Sequence, residues 1–193
     1  NRLGANSLLS CLYGGEVAAE RVGEYLESLS EKSSQGGTRG LEQQRKLEEE
    51  KLGAILRSHG RENPYVIWEE MGKWMTDNVT VIRVNDKLKK TDEKLLELKE
   101  GLRHVNVGDP THWANQAVIF TRQLQNMLEL ARVITLGALR RNESRGAHYK
   151  PEFPERDDRN WLKTTIAKWT PDGPEFFDEA VDTSLIQPKE RKY

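Results

Sequence analysis

Residues 109–140 read Asp109-Pro110-Thr111-His112-Trp113-Ala114-Asn115-Gln116, then AVIFTRQLQNMLELARVITLGALR as far as Arg140. An Asp followed by Pro marks a helix start, because the short side chain accepts from free first-turn amides and proline has no amide to leave unpaired. Phe120, Leu124, Met127, Leu128, Ala131, Ile134 and Ala138 then recur every three or four positions. That spacing gathers them on one side of a helix and predicts a single long helix over 111–140. A helix of this length with one apolar side needs other helices to cover it.

The sequence before it supplies them. Leu47, Leu52, Ile55 and Leu56 mark a helix over 41–58, which Gly60 ends. Asn63-Pro64 repeats the cap-plus-proline signal and opens a second, with Ile67, Met71, Trp74, Met75, Val79 and Ile82 turned inward. Thr91 or Asp92 caps a third, carrying Leu95, Leu96, Leu98 and Leu102. Residues 41–140 are therefore expected to form an antiparallel helical bundle with short connections, and the fold class is mainly α. Trp68 and Trp74, on otherwise apolar helices, are expected to pack in its core.

Upstream, residues 32–40 hold three glycines and no apolar side chain, and are expected to form a linker. Before them, Leu8, Leu12, Ala19, Val22, Leu26 and Leu29 mark a further helix within 1–31, capped by Asn6 or Ser7. Gly14 and Gly15 interrupt it, which suggests close approach of another backbone or a ligand. Cys11 on this helix is expected to be a small buried hydrophobe. Downstream, residues 141–193 lose helical periodicity. Residues 161–169 are rich in β-formers, Pro171-Asp172-Gly173-Pro174 is a turn signal, and 176–181 can return, so a small β-hairpin is expected.

Composition removes several function classes. Among 193 residues, 30 Lys and Arg face 31 Asp and Glu, for a formal net charge of -1. Non-specific nucleic-acid binding needs a basic excess that is missing here. The single cysteine rules out an internal disulfide or a cysteine zinc site. His59, His104, His112 and His148 are scattered, with no metal-ligand spacing. No apolar run approaches the roughly 20 residues of a membrane span. Phosphate-binding glycine loops and nucleophile elbows are also missing.

Two segments remain. Asn1-Arg2-Leu3-Gly4-Ala5-Asn6-Ser7-Leu8 puts a guanidinium on a glycine loop before a capped helix. The guanidinium can grip a carboxylate with two parallel hydrogen bonds, and the helix start offers free amides to a second electron-rich group. An ordinary loop arginine before an ordinary cap would look the same. Arg141-Asn142-Glu143-Ser144-Arg145-Gly146-Ala147-His148-Tyr149 packs charged and polar groups behind the long helix. It reads either as a charge network or as a solvated loop.

The first of these segments, extended through Leu9 and followed by Tyr13-Gly14-Gly15, resembles the late flavin-contacting motif of the succinate dehydrogenase and fumarate reductase flavoprotein subunits. The second, followed by Phe153-Pro154-Glu155-Arg156-Asp157-Asp158 and Asn160-Trp161-Leu162, resembles the C-terminal signature of the same family. So does Thr121-Arg122-Gln123-Leu124-Gln125-Asn126-Met127-Leu128. The order and spacing fit, and the likeness is strongest to the Gram-positive type of succinate dehydrogenase. L-Aspartate oxidase shares the first motif and part of the second.

The resemblance implies that Arg2 binds a carboxyl group of a dicarboxylate substrate, and that Ser7 and Leu8 contact FAD through their backbone. It implies a parent subunit that oxidises succinate to fumarate, passing a hydride to FAD. Electrons go on to an iron-sulfur subunit and, through a membrane-anchor cytochrome module, to quinone. The parent is expected to be cytoplasmic, peripheral on the inner face of the membrane. The family's dinucleotide-binding glycine motif and catalytic residues lie upstream of this stretch, so the chain corresponds to the C-terminal third of a longer subunit. Residues 1–31 would then be the last helix of the FAD-binding domain, 32–40 a linker, 41–140 the helical domain and 141–193 the tail. No catalytic residue is expected here, and these residues alone are expected to be inactive. The 141–149 segment is expected to tie the bundle to the flavin domain. Fumarate reductase and L-aspartate oxidase remain enzymatic alternatives, and a non-catalytic helical interaction module is the alternative from another class.

Overall fold

The computed structural model describes residues 6–29 and 37–189. It divides into two compact units, Asn1–Ala54 and Ile55–Tyr193. Among the described residues there are six α-helices and one two-stranded antiparallel sheet.

The first unit holds α1 (Asn6–Ser28) and most of α2 (Gly37–Leu56). α2 starts four residues ahead of the expected position, so Gly37–Gly40 of the expected linker are helical. Its outer surface carries ion pairs such as Arg45 with Glu42 and Glu49. Leu47, expected inward, is exposed, whereas Ile55 and Leu56 are buried. The helix also stops at Leu56, short of the glycine expected to end it. Gly60 has a different task. A Cβ there would lie 1.6 Å from the His104 carbonyl oxygen, and the Gly60 amide donates to Val105 at 3.3 Å. Only a residue without a side chain lets these two backbones approach so closely.

In the second unit, α3 (Pro64–Val79), α4 (Asn85–Gly101) and α5 (Gln116–Arg140) pack on one another. Ile67 and Met71 of α3, Leu95 and Leu98 of α4, and Leu124, Leu128 and Ala131 of α5 form the core, with Leu102 and Val105 closing one end. Val79, Leu88 and Ala138 form a second cluster. α3 starts as its sequence predicts, with Asn63 Oδ1 accepting from the Tyr65 amide at 2.9 Å. It ends before Ile82, which is exposed.

Two helix starts differ from expectation, each for a local reason. α4 begins six residues before Thr91, which is fully buried inside it and donates to the Lys87 carbonyl at 2.8 Å. Its first turn is capped from far along the chain, where Glu152 accepts from the Asn85 amide at 2.7 Å. α5 begins at Gln116 and not near 111, because Asp109 is spent on a turn, accepting from the Thr111 amide at 2.9 Å. Asn115 is the true cap: its Oδ1 accepts from the Val118 amide at 3.1 Å. The packed side of α5 is also rotated from the expected one. Thr121 and Thr135 are fully buried and Ile134 is half exposed at 50%. Each threonine satisfies its hydroxyl on the carbonyl four residues back, Ala117 at 2.7 Å and Ala131 at 2.8 Å, so small polar residues sit where the helices come close.

The aromatic residues correct another expectation. Trp68 is exposed at the rim, edge-on to Phe120 at 6.2 Å, while Phe120 stacks on Tyr65 at 4.4 Å. Trp74 is half-buried.

A short helix, α6 (Asp158–Trp161), leads into the hairpin of β1 (Lys163–Lys168) and β2 (Glu175–Ala180). The register pairs Lys163 with Ala180 and Lys168 with Glu175. Gly173 takes φ +128° in the connection. The hairpin lies on the end of α5, with the Phe176 ring over Gly137.

Candidate functional site

The start of α1 is the first candidate. Arg2 lies outside the described residues. Ser7 and Leu8 occupy the first turn, and both are exposed. First-turn amides have no partner within their own helix, so they remain available to another group. No acidic residue in that turn offsets the positive end of the helix dipole. Leu8, Leu12, Val22, Leu26 and Leu29, the apolar stripe of this helix, are exposed. Cys11 is exposed as well, against expectation. A Cβ on Gly14 or Gly15 would meet nothing within 4 Å, so the close approach expected there is not made among the described residues.

The second candidate, residues 141–158, is a buried polar assembly and not a solvated loop. Glu143 and Lys150 are both completely buried. Glu143 accepts from Arg141, from Arg145 at 2.8 and 2.9 Å, and from the Asp157 amide at 3.0 Å. Arg145 also donates to Asp158 at 2.6 Å, and Arg156 holds the same carboxylate. Arg141 goes on to the carbonyls of Trp161 at 3.0 Å and Lys163 at 2.8 Å, which ties the loop to the first strand. Arg140 and Lys163 grip Asp178 on the second strand. The Trp161 ring sits among Arg140, Arg141 and Lys163 at 5.9, 5.2 and 4.8 Å.

Lys150 closes the end of α5. Its ammonium donates to the carbonyls of Leu139 at 2.8 Å and Arg141 at 3.1 Å and to Asn142 Oδ1 at 3.0 Å. Three donors meet three acceptors at the negative end of the helix dipole. His148, also buried, lies between Arg83 Nη1 at 2.7 Å and the Arg141 carbonyl at 3.1 Å.

The electrostatics follow from these contacts. Burial pulls Glu143 upward, but hydrogen bonds from Arg145, the Asp157 amide and Arg141 outweigh it and leave the carboxyl below its ordinary value. Arg156 and Arg145 draw Asp158 down to about 2. Burial lowers Lys150 to about 8, with Glu152 opposing and Arg83 reinforcing the shift. The Glu143 and Asp158 carboxylates are held by arginines, and Lys150 and Arg83 by carbonyls and neighbouring side chains. The chemistry of the assembly is that of a clamp joining α5, the loop and the hairpin.

Sequence reasoning singled out Arg141, Glu143, Arg145 and His148 but passed over Lys150 and Arg83. Lys150 precedes a proline in a polar stretch and Arg83 follows an apolar pair, and neither setting separates a buried cation from a solvated one. A shallow groove of about 380 Å³ between α4, α5 and Trp169 holds Lys99, Arg103, Gln125, Asn126 and Glu129. Lys99 and Glu129 neutralise each other across it.

Comparison with known proteins identifies the architecture. The family "Fumarate reductase flavoprotein C-term" matches residues 68–193. The chain is 53% identical over 195 residues to the succinate dehydrogenase flavoprotein subunit of Bacillus subtilis, covering 100% of this chain and 33% of that one. It is 33% identical over 194 residues to the fumarate reductase flavoprotein subunit of Haemophilus influenzae, covering 100% of this chain and 32% of the relative. Among solved structures, a chain of Escherichia coli quinol fumarate reductase superimposes with a TM-score of 0.83 at 31% identity, over 98% of this chain and 32% of the other. The chain thus spans about a third of the length of the relatives it matches. The bundle, its polar clamp and the hairpin all fall within the matched residues, and the chain belongs to the succinate dehydrogenase and fumarate reductase flavoprotein family.

Proposed function

We propose that these residues form the C-terminal third of a subunit that oxidises succinate to fumarate. The observation that carries this reading is the 53% identity to a succinate dehydrogenase flavoprotein over the whole chain. Within that subunit, residues 1–31 are the last helix of the FAD-binding domain, 32–40 a linker, 41–140 the helical domain and 141–193 the tail.

Arg2 binds and orients the substrate, because its planar fork matches a carboxylate with two parallel hydrogen bonds and fixes which face of the dicarboxylate is presented. The first turn of α1 fits a flavin ring: Ser7 and Leu8 are exposed there, and no acidic neighbour cancels the positive helix end. Their amides would stabilise negative charge on an electron-rich ring lying against them. FAD, when bound, supplies the two-electron acceptor. The exposed stripe of α1 is the face that packs on the remainder of the flavin domain. The partners are an iron-sulfur subunit and, beyond it, a membrane-anchor and quinone module. No helix among the described residues is long and apolar enough to cross a membrane. Attachment to the inner face of the cytoplasmic membrane would therefore come, for these residues, through those partners.

The test is turnover of the full-length subunit with succinate, fumarate and L-aspartate. Succinate oxidation is expected to dominate, and preference for either other substrate overturns the reading. In the same protein, Arg2→Ala is expected to remove nearly all succinate turnover while flavin absorbance stays. Unchanged turnover removes Arg2 from the substrate site.

A further inference from the structure

The connection between α3 and α4 is joined to the segment after α5 at two levels. The Arg83 amide donates to the Tyr149 carbonyl at 2.8 Å and the Tyr149 amide to the Val81 carbonyl at 3.0 Å, forming a short parallel bridge. Alongside it, Arg145 and His148 exchange amide–carbonyl hydrogen bonds of 2.8 and 3.0 Å, which fixes the turn that carries the imidazole. The side chains then complete the join: Arg83 Nη1 stands 2.7 Å from His148 Nδ1, and His148 Nε2 stands 3.1 Å from the Arg141 carbonyl.

Those two distances settle the state of the ring. A guanidinium has donors only, so Nδ1 must accept. A carbonyl only accepts, so Nε2 must carry the proton. The imidazole is neutral, in one tautomer, with both nitrogens committed. A second proton would go on Nδ1, where it would point N–H against N–H at Arg83.

The surroundings offer such a charge nothing. Arg83 faces the ring from the α3–α4 connection, Arg141 from the end of α5 and Lys150 from its own segment. The nearby carboxylates are already used, Glu143 by Arg141 and Arg145, and Glu152 by the Asn85 amide. Burial, and then these three cations, hold His148 below its ordinary value, against the pull of its bond to the Arg141 carbonyl.

We propose that His148 is an acid-sensitive latch: neutral, it ties the α3–α4 connection to the segment behind α5, and protonated, it expels Arg83 and opens the bridge. Opening reaches the bundle, because Glu152, two residues beyond Lys150, caps α4. The same connection buries Asn85 Oδ1 with no hydrogen-bond partner among the described residues, and Arg83 Nε stays on the Val79 and Thr80 carbonyls at 3.0 and 2.9 Å when its Nη1 leaves the ring. The latch stands apart from the flavoprotein reading and survives if that reading fails.

The sign is fixed by linkage. A folded-state value below the unfolded one means that the unfolded chain binds the extra proton first as pH falls. The latch is therefore fully closed above the ordinary histidine value and weakens as pH drops below it. Amide hydrogen exchange of the full-length protein, corrected for intrinsic rates, tests this at about pH 7.5 and about pH 5.5. The Arg83 and Tyr149 amides are expected to lose up to about ten-fold of their protection at the lower pH, while those of Leu124 and Leu128 keep theirs. Equal protection of Arg83 and Tyr149 at both pH values overturns the latch. His148→Gln keeps an acceptor and a donor without a titrating nitrogen, and is expected to hold its protection throughout. The same acid loss in that variant also overturns the proposal. Should that variant not fold, exchange of the imidazole C2 proton in the wild type decides, since a midpoint at or above about 6.5 contradicts a latch held neutral.

Discussion

The three-helix bundle and the 141–158 assembly each bury side chains completely, yet they are held by opposite means. Leu95, Leu124 and Leu128 are completely buried among other apolar groups, and so are Glu143 and Lys150 among ion pairs and carbonyls. The apolar core tolerates imperfect partners, because each contact is weak and non-directional. The polar core does not, because each buried charge left unmatched carries its full desolvation cost. The bundle should thus lose stability in proportion to the volume removed, whereas the clamp should fail when one partner goes.

Glu143→Ala is the hardest test of that difference. It leaves Arg141 without a carboxylate and Arg145 with Asp158 alone, and frees the Asp157 amide. Loss of one partner from such a group costs about 3–5 kcal/mol, read as a fall in the denaturant midpoint. A change as small as that of a surface carboxylate would place the two cores on the same footing. Acid offers a second view of this site. The Glu143 carboxyl sits below its ordinary value of 4.5, so its contribution is present above that pH and is lost as pH falls from there through the lower folded-state value. In Glu143→Gln, the acid limb of the stability curve should flatten.

Leu128→Ala is the matching cut in the apolar core. A fully buried leucine with little room to relax costs about 3 kcal/mol. This loss should be independent of pH, unlike that of Glu143, and a parallel pH dependence of the two variants would mean that the cores unfold as one electrostatic unit. Gly60→Ala probes a third kind of contact, where two backbones touch. The added Cβ would fall 1.6 Å from the His104 oxygen, so one strand of the Glu62–Val105 bridge must move. The expected cost is about 1–3 kcal/mol, with lost protection at the Glu62 and Asn106 amides that make this bridge.

The same contrast explains which parts were legible in the sequence. Periodicity identified the bundle helices, because a repeated apolar spacing is local and needs no knowledge of the partner. The hairpin was found within two residues of its strands, since β-formers and a Pro-Asp-Gly-Pro turn are equally local. What escaped was polar and long-range. The start of α4 depends on Glu152, 67 residues away, and the buried state of Lys150 depends on carbonyls gathered by the end of α5. The rotated face of α5 escaped for a related reason: Thr121 and Thr135 are polar by residue type but satisfied by their own helix. At the candidate site, Ser7 and Leu8 stand at a helix start as the sequence implied, while Cys11, read as buried, belongs to a face that is open.

The smallest effect separates two candidate caps for one helix. Asp109 carries the stronger sequence signal, because a proline follows it. Asn115 carries the hydrogen bonds: its Oδ1 accepts from Val118, and its Nδ2 donates to the carbonyls of Asp109 at 2.7 Å and Thr111 at 3.0 Å. One amide side chain thus closes the helix and the loop before it, using both its acceptor and its donors. Asn115→Ala should cost about 1 kcal/mol or slightly more, since a cap and two loop bonds go together. Asn115→Asp should recover the cap but not the donated bonds, and so should fall between wild type and alanine. Asp109→Ala should cost less than Asn115→Ala, because it removes a turn bond to Thr111 at the surface. The reverse order would return the start of α5 to residue 111, where a proline-based reading puts it.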